Sequence, residues 1–289
     1  MYEQYYNLTE APFSLTPDPK YFYRSESHHR AFELLQYAIQ RREGFMAVYG
    51  DIGTGKTTLC RAVLGAIGNH VYTALLLNPF LNELELLKGI LCDFGIAAPS
   101  GRSKQDLITE LSAFLISVLE KNGRAVVLLD EAQNIPMATL EQIRIISNLE
   151  TNKEKLLQIV MVGQLELVDL LSKPELRQLH QRISMKCELT PLSADEASEY
   201  IRHRLTIASG GKSRVAFTPD ALKEIYRYSG GIPRLINLIA DRSLLAGMAL
   251  SINSIDKRVV REAVENLQLK ANSSVGKFWP FRARSAKAK

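Results

Sequence analysis

Short apolar runs alternate with amphipathic stretches along most of the chain, and the alternation stops near Leu189. Phe45-Met46-Ala47-Val48-Tyr49, Val71–Leu77, Ala125-Val126-Val127-Leu128-Leu129, Leu157–Val162 and Ile183–Leu189 read as short buried strands. Between them apolar residues recur at helical spacing. Ala31, Leu34, Leu35, Ala38 and Ile39 share one face of Ser27–Arg42, and Leu59, Cys60, Val63, Leu64 and Ile67 mark a second helix. Further helices are expected at Leu84–Phe94 and at Gln105–Asn122, the latter capped by Ser103 and ended by Gly123. Ala138–Ser147 and the polar stretch Glu166–Leu179 complete the series. Strand–helix alternation of this kind predicts a parallel sheet covered on both faces.

After Leu189 the pattern changes. Ser193-Ala194-Asp195-Glu196 is a capping box that opens a helix ending at Gly210-Gly211. Thr218-Pro219 starts a second, ended by Gly230-Gly231, and Arg234–Ala249 and Ile255–Leu269 make four. No strand signal interrupts them, so an all-helical second domain is expected. At the other end, Pro12, Pro17 and Pro19 keep Ala11–Lys20 extended and turn-rich. The expected division is a preface at 1–42, an α/β nucleotide-binding domain at 43–190, a helical lid at 191–270 and a flexible tail at 271–289. Tyr21-Phe22-Tyr23 reads either as packing or as a wall for a base.

The first strand runs directly into Gly50-Asp51-Ile52-Gly53-Thr54-Gly55-Lys56-Thr57-Thr58, which fits the phosphate-loop pattern G-x-x-x-x-G-K-[ST]. Strand, loop and helix are the context the chemistry needs. Glycines let the backbone close around a phosphate, N–H groups and the helix N-terminus supply positive potential, and Lys56 reaches the outer phosphates. Thr57 offers its hydroxyl to Mg²⁺. The third apolar run closes on Asp130-Glu131, about seventy residues downstream. Carboxylates at the C-terminal end of a parallel strand face the crevice where such sheets bind ligands. Asp130 is the candidate Mg²⁺ ligand and Glu131 the group that polarises water. Adjacent Asp and Glu favour a hydrolase, and no guanine-selecting Asn-Lys-x-Asp is present, so ATP is the expected nucleotide.

Composition narrows the setting. The net charge of +5 is carried by the end of the chain, where Lys270, Lys277, Arg282, Arg284, Lys287 and Lys289 face no acid after Leu267. Without them, 30 basic residues stand against 31 acidic ones, so no general nucleic-acid-coating surface is indicated. Cys60, Cys92 and Cys187 lack metal-ligand spacing and read as small buried residues in a reducing compartment. His28 and His29 are neighbours and would point to different helix faces, which disfavours a ligand pair. The apolar stretch Leu235–Leu250 carries Asp241 and Arg242 and reads as a core helix, not a membrane span. No signal peptide is recognisable, so a cytoplasmic protein, peripheral at the inner membrane if the tail attaches, is expected. The tail joins Phe278, Trp279 and Phe281 to basic neighbours, a composition that suits an anionic membrane, nucleic acid or a solubilising end.

The phosphate loop, the Asp-Glu strand end and the trailing helices together resemble an AAA+ ATPase: a P-loop NTPase with a three-layer parallel sheet and a helical lid. Finer motifs narrow the resemblance. They are Pro12-Phe13 with Pro17-Asp18-Pro19, Ser25 then His28, Glu43-Gly44-Phe45, Leu129-Asp130-Glu131-Ala132-Gln133 and Asn148-Leu149-Glu150-Thr151. Gly163-Gln164, Gln181-Arg182-Ile183, Tyr200-Ile201 with His203-Arg204-Leu205, and Gly231-Ile232-Pro233-Arg234 with Asn237 extend the set. Together they resemble ATPases related to general secretion pathway protein A, whose shorter relatives accompany pilus-biogenesis and exosortase systems. The resemblance implies a γ-phosphate sensor at Gln164, a second sensor at Arg234 and an arginine finger at Arg182 given to a neighbouring subunit, hence a homo-oligomer. Asn78 stands where such proteins place a residue restraining the catalytic Glu, although before Pro79 it also reads as turn chemistry. Long members continue through a membrane span into a peptidoglycan-binding domain, so a short form working with a membrane-associated secretion or pilus protein is expected. The alternative is a DNA-associated ATPase regulating transposition or replication.

Overall fold

The computed structural model describes residues 1–68, 70–99, 101–151 and 154–269, so the tail at 271–289 lies outside the described residues. In chain order the first elements are α1 (Tyr2–Tyr5), α2 (Glu26–Gln40), β1 (Phe45–Gly50), α3 (Lys56–Ala66) and β2 (Val71–Leu76). Then come α4 (Glu83–Asp93), α5 (Lys104–Glu120), β3 (Arg124–Leu129), α6 (Met137–Ile146) and β4 (Gln158–Gly163). α7 (Glu166–Leu171), α8 (Arg177–Arg182) and β5 (Ile183–Leu189) close the sheet region. The last part holds α9 (Ala194–Ser209), β6 (Ala216–Phe217), α10 (Pro219–Ser229), α11 (Pro233–Ala249), β7 (Ser254–Ile255) and α12 (Lys257–Asn266).

Two compact units result: Thr16–Pro191, and Met1–Leu15 together with the residues from Leu192 on. The preface read at 1–42 is therefore split between them. In the α/β unit five strands pair in parallel in the order β2-β3-β4-β1-β5. Central β1, β3 and β4 are almost continuously buried, while edge β2 and β5 alternate, as the covering of both faces requires. Pleating sends Phe45 into a core with α4 to α7, and Met46 and Val48 into a second core with α2 and α3. The single helix expected at Glu166–Leu179 is instead α7, a 3₁₀ turn at Pro174–Leu176 and α8. Pro174 lacks the N–H that a continuing helix needs. Of the three cysteines expected to be buried, Cys92 is exposed.

In the helical unit, α9, α10, α11 and α12 form the expected bundle, and capping by Ser193 and Thr218 opens the first two. One addition escaped the sequence. β6 and β7 form a two-residue parallel pair, too short to leave a periodic signature. The chain's N-terminal segment is part of this unit: Tyr6 and Phe13 are fully buried, and Tyr6 Oη donates to Leu244 O at 3.1 Å. α11 presents Ile236, Ile239, Ala240 and Leu244 to the core. Among the described residues no helix is long and apolar enough to cross a membrane.

Candidate functional site

Because the sheet is parallel, the C-terminal ends of adjacent β3, β4 and β1 lie on one edge, and three loops leave it side by side. The loop after β1 is Gly50–Gly55. Gly53 and Gly55 have φ of 80° and 96°, values that side chains with a Cβ adopt poorly. Thr54 is fully buried and donates through Oγ1 to Asp51 O at 2.9 Å, which fixes the loop. Asp51 and Ile52 are exposed at its rim. Lys56 opens α3 with Thr57 and Thr58, at the positive end of the helix.

Lys56 is buried, and its Nζ donates to Gly50 O at 2.9 Å and Asp51 O at 2.8 Å. Among the described residues its ammonium forms no salt bridge. Burial pulls its pKa below the ordinary lysine value, against the opposing pull of the Glu131, Asp130, Asp51 and Glu166 charges. A buried cation with only carbonyl partners is costly unless an anion joins it.

Thr57 Oγ1 donates to Asp130 Oδ2 at 2.7 Å, so the two residues read from sequence as metal ligands meet. A hydroxyl and a carboxylate in contact are hard oxygen donors of the kind Mg²⁺ takes when phosphates complete its shell. These residues therefore fit a Mg²⁺–nucleotide. Asp130 Oδ1 accepts the Glu131 N–H at 2.9 Å, and Asp130 N donates to Leu76 O at 3.0 Å. Glu131 itself lies in the left-handed region, φ 50° and ψ 39°, and its Oε2 accepts from Gln164 Nε2 at 3.1 Å. The two residues expected from sequence to act as base and sensor are thus brought together.

Arg182 is held elsewhere. Its Nη1 donates to Ser147 Oγ at 2.9 Å, to Asn148 Oδ1 at 2.5 Å and to Arg144 O at 3.3 Å, all at the C-terminal end of α6. A guanidinium there also meets the negative end of the helix. Arg177, which like Arg182 belongs to α8, is exposed. Arg234 stands in the first turn of α11, in the helical unit. Asn78 Oδ1 accepts the Phe80 N–H at 3.1 Å, the turn chemistry of its two readings. In the aromatic cluster Tyr21 is buried and Phe22 stacks on Phe32 at 5.9 Å, so these two rings pack.

Two residues of the site had no role assigned from sequence. His28, buried in the first turn of α2, has Nε2 at 2.8 Å from Thr54 O and Nδ1 at 2.7 Å from Ser25 Oγ. A carbonyl can only accept, so Nε2 carries the proton and braces the phosphate loop from behind. Gln133 is the other, and it touches both Glu131 and Gln164. The available signals were Ser25 three residues before His28 and the run Asp130-Glu131-Ala132-Gln133, quoted for the resemblance alone.

Strand order, phosphate loop and strand-end carboxylates define an AAA+ P-loop protein, and an AAA domain family matches residues 39–171. Cdc6p of Pyrobaculum aerophilum superposes with a TM-score of 0.68 at 18% identity, covering 90% of this chain and 71% of that one. More narrowly, the chain is related to General secretion pathway protein A of Aeromonas hydrophila. Identity is 44% over 255 residues, 88% of this chain and 46% of that protein. An uncharacterized HTH-type transcriptional regulator of Methanocaldococcus jannaschii is 25% identical over 185 residues, 63% of this chain and 45% of that protein. The chain thus spans about half the length of both curated relatives.

Proposed function

We propose that this chain binds and hydrolyses ATP with Mg²⁺ and that the energy drives assembly or operation of an envelope secretion, pilus or exosortase system from the cytoplasmic side. The observation that carries the nucleotide reading is the buried Lys56 ammonium, which donates to backbone carbonyls of the glycine loop. In this reading the loop amides and Lys56 bind the phosphates. Thr57 and Asp130 hold Mg²⁺, which neutralises phosphate charge when bound. Glu131 orients the attacking water and takes its proton, Gln164 meets the γ-phosphate, and Arg234 serves as a second sensor. The envelope role rests on the kinship with General secretion pathway protein A.

Arg182 is proposed to act in trans within a homo-oligomer, leaving its seat on α6 when a neighbouring subunit presents nucleotide. An arginine so placed is worth roughly 10³–10⁵ in rate. Mixing Arg182→Ala with Lys56→Ala then restores partial turnover, because each subunit supplies what the other lacks; failed complementation together with concentration-independent turnover rejects the trans role.

The primary test is steady-state hydrolysis alongside nucleotide binding. Lys56→Ala loses ATP binding, whereas Glu131→Gln keeps it while turnover falls by about 10²–10⁴. Normal turnover in Glu131→Gln refutes the assignment. The kinship with an HTH-type regulator favours a second reading, an ATPase acting with DNA. Turnover stimulated by duplex DNA and indifferent to partner membranes would put that reading first.

A further inference from the structure

The carboxylate read as the catalytic base is held from two sides, and both holders meet in one side chain. Gln133 Nε2 donates to Glu131 Oε2 at 2.7 Å, and the same oxygen accepts Gln164 Nε2 at 3.1 Å. The triangle closes through the backbone, because Gln164 N donates to Gln133 Oε1 at 3.0 Å. Neighbours fix the direction of the Gln133 amide. A backbone N–H can only donate, so Oε1 must face Gln164 N and Nε2 is left to face Glu131.

Local geometry brings these groups within reach. Left-handed Glu131 turns the chain at the end of β3 into a 3₁₀ turn at Ala132–Asn134, which sets Gln133 beside the carboxylate two residues earlier. β4 ends on Gly163, where a Cβ would lie 2.7 Å from Gln133 Oε1, so a larger residue would push the amide out of the triangle. Few side chains can close it. Glu could accept from Gln164 but would repel Glu131, Met could do neither, and Asn is one methylene short.

We propose that Gln133 is a positioning residue for hydrolysis: it orients Glu131 and ties it to the γ-phosphate sensor Gln164. With two amide donors on Oε2, the carboxylate plane is fixed and Oε1 is the oxygen presented to water. Among the described residues Oε1 has no hydrogen-bond partner. A γ-phosphate engaging Gln164 therefore moves a group whose backbone is bonded to Gln133, and the base feels it. Asn78, the position at which the resemblance puts a restraint on Glu131, is occupied with its own turn. The inference rests on the ATPase reading and deepens it.

The test compares the wild-type chain with Gln133→Met, Gln164→Ala and the double variant, measuring kcat and KM for ATP, equilibrium ATP binding and thermal unfolding. Gln133→Met should lower kcat about tenfold to a hundredfold, the scale of a misplaced catalytic group. KM and ATP affinity should stay within about twofold, which places the loss in the chemical step. The double variant should cost clearly less than the product of the singles, since both act through one oxygen. Gln133→Asn, which retains an amide but withdraws it, should reproduce the kinetic loss and serves if Gln133→Met fails to fold. Unchanged or raised kcat, lost ATP affinity, or fully multiplicative effects would each overturn the proposal. Glu131→Gln separates the levels: if it is inactive while Gln133→Met and Gln133→Asn turn over normally, only this inference falls. If wild type shows no turnover that depends on Glu131, the ATPase reading falls and takes the inference with it.

Discussion

In the α/β unit one group of buried and half-buried polar side chains gathers at strand ends around the phosphate loop; in the helical unit another group meets the chain's own N-terminal segment. Lys56, Asp130 and His28 belong to the first group, joined by the half-buried Thr57, Glu131, Gln133 and Gln164. Arg204, Tyr200 and Asn237 belong to the second. The Arg204 guanidinium is buried and donates through Nε to Pro12 O and through Nη1 to Tyr200 Oη at 2.8 Å. Tyr200 Oη in turn donates to Asn237 Oδ1 at 2.9 Å. All three residues lie in motifs that carry the family resemblance, as the phosphate loop does. Shared motifs therefore mark two different demands, one chemical and one architectural, and only the partners of each side chain separate them.

Perturbing each region alone sharpens that contrast. The largest effect is expected at the strand ends. Thr57→Ala removes the hydroxyl that meets Asp130 and should cut Mg²⁺-dependent turnover at least about a hundredfold, since misplacing a reacting group costs on that scale. Its urea unfolding should stay close to wild type; a large stability loss instead would mean that Thr57–Asp130 is chiefly a structural bond. His28→Ala comes next. Losing the brace on Thr54 O should weaken ATP binding about tenfold, one buried hydrogen bond's worth of free energy. Calorimetric titration that finds wild-type affinity would remove His28 from the site.

Arg204→Ala should do the reverse. Leaving the Pro12 carbonyl and Tyr200 hydroxyl without their donor should cost about 1–3 kcal/mol in urea unfolding. Turnover per folded molecule should change by less than about threefold, the outcome expected of a residue outside the chemistry. Unchanged stability with collapsed turnover would erase the distinction between the units. The smallest effect concerns thiols. Burial raises the Cys60 thiol pKa and pushes that of Cys187 up to about 11, whereas Cys92 is exposed. Thiolate is the reactive form, so at pH 8 an alkylating reagent should modify Cys92 in the folded protein and reach the other two only after unfolding. Mass spectrometry of native-labelled peptides checks this; rapid modification of Cys187 would mean that its strand opens.

Much of the fold could be read because its signals are local. Strand runs, helical faces and caps such as Ser103 act within a few residues, and they recur where expected. Glu166–Leu179 was harder, because its apolar spacing reads through the break that Pro174 imposes. β6 and β7 pair across a long separation with two residues each, and so little chain carries no pattern. In the site, the loop from Gly50 to Thr58 was complete in the sequence, while the arrangement of Gln133 against Gln164 was not.

The sequence by itself determined the alternation that makes a parallel sheet and the phosphate loop, because glycine conformations, the helix start and Lys56 all act along contiguous backbone. Tertiary structure decided the rest. It put Thr57 against Asp130, since strand order sets β1 two places from β3, and it put His28 behind Thr54 and Gln133 between Glu131 and Gln164. It also assigned Met1–Leu15 to the helical unit, where Tyr6 and Phe13 are buried. Hydrogen bonds of this kind depend on distances of a few tenths of an ångström between segments far apart in the chain. Such distances are fixed by how whole layers pack, which no local pattern encodes.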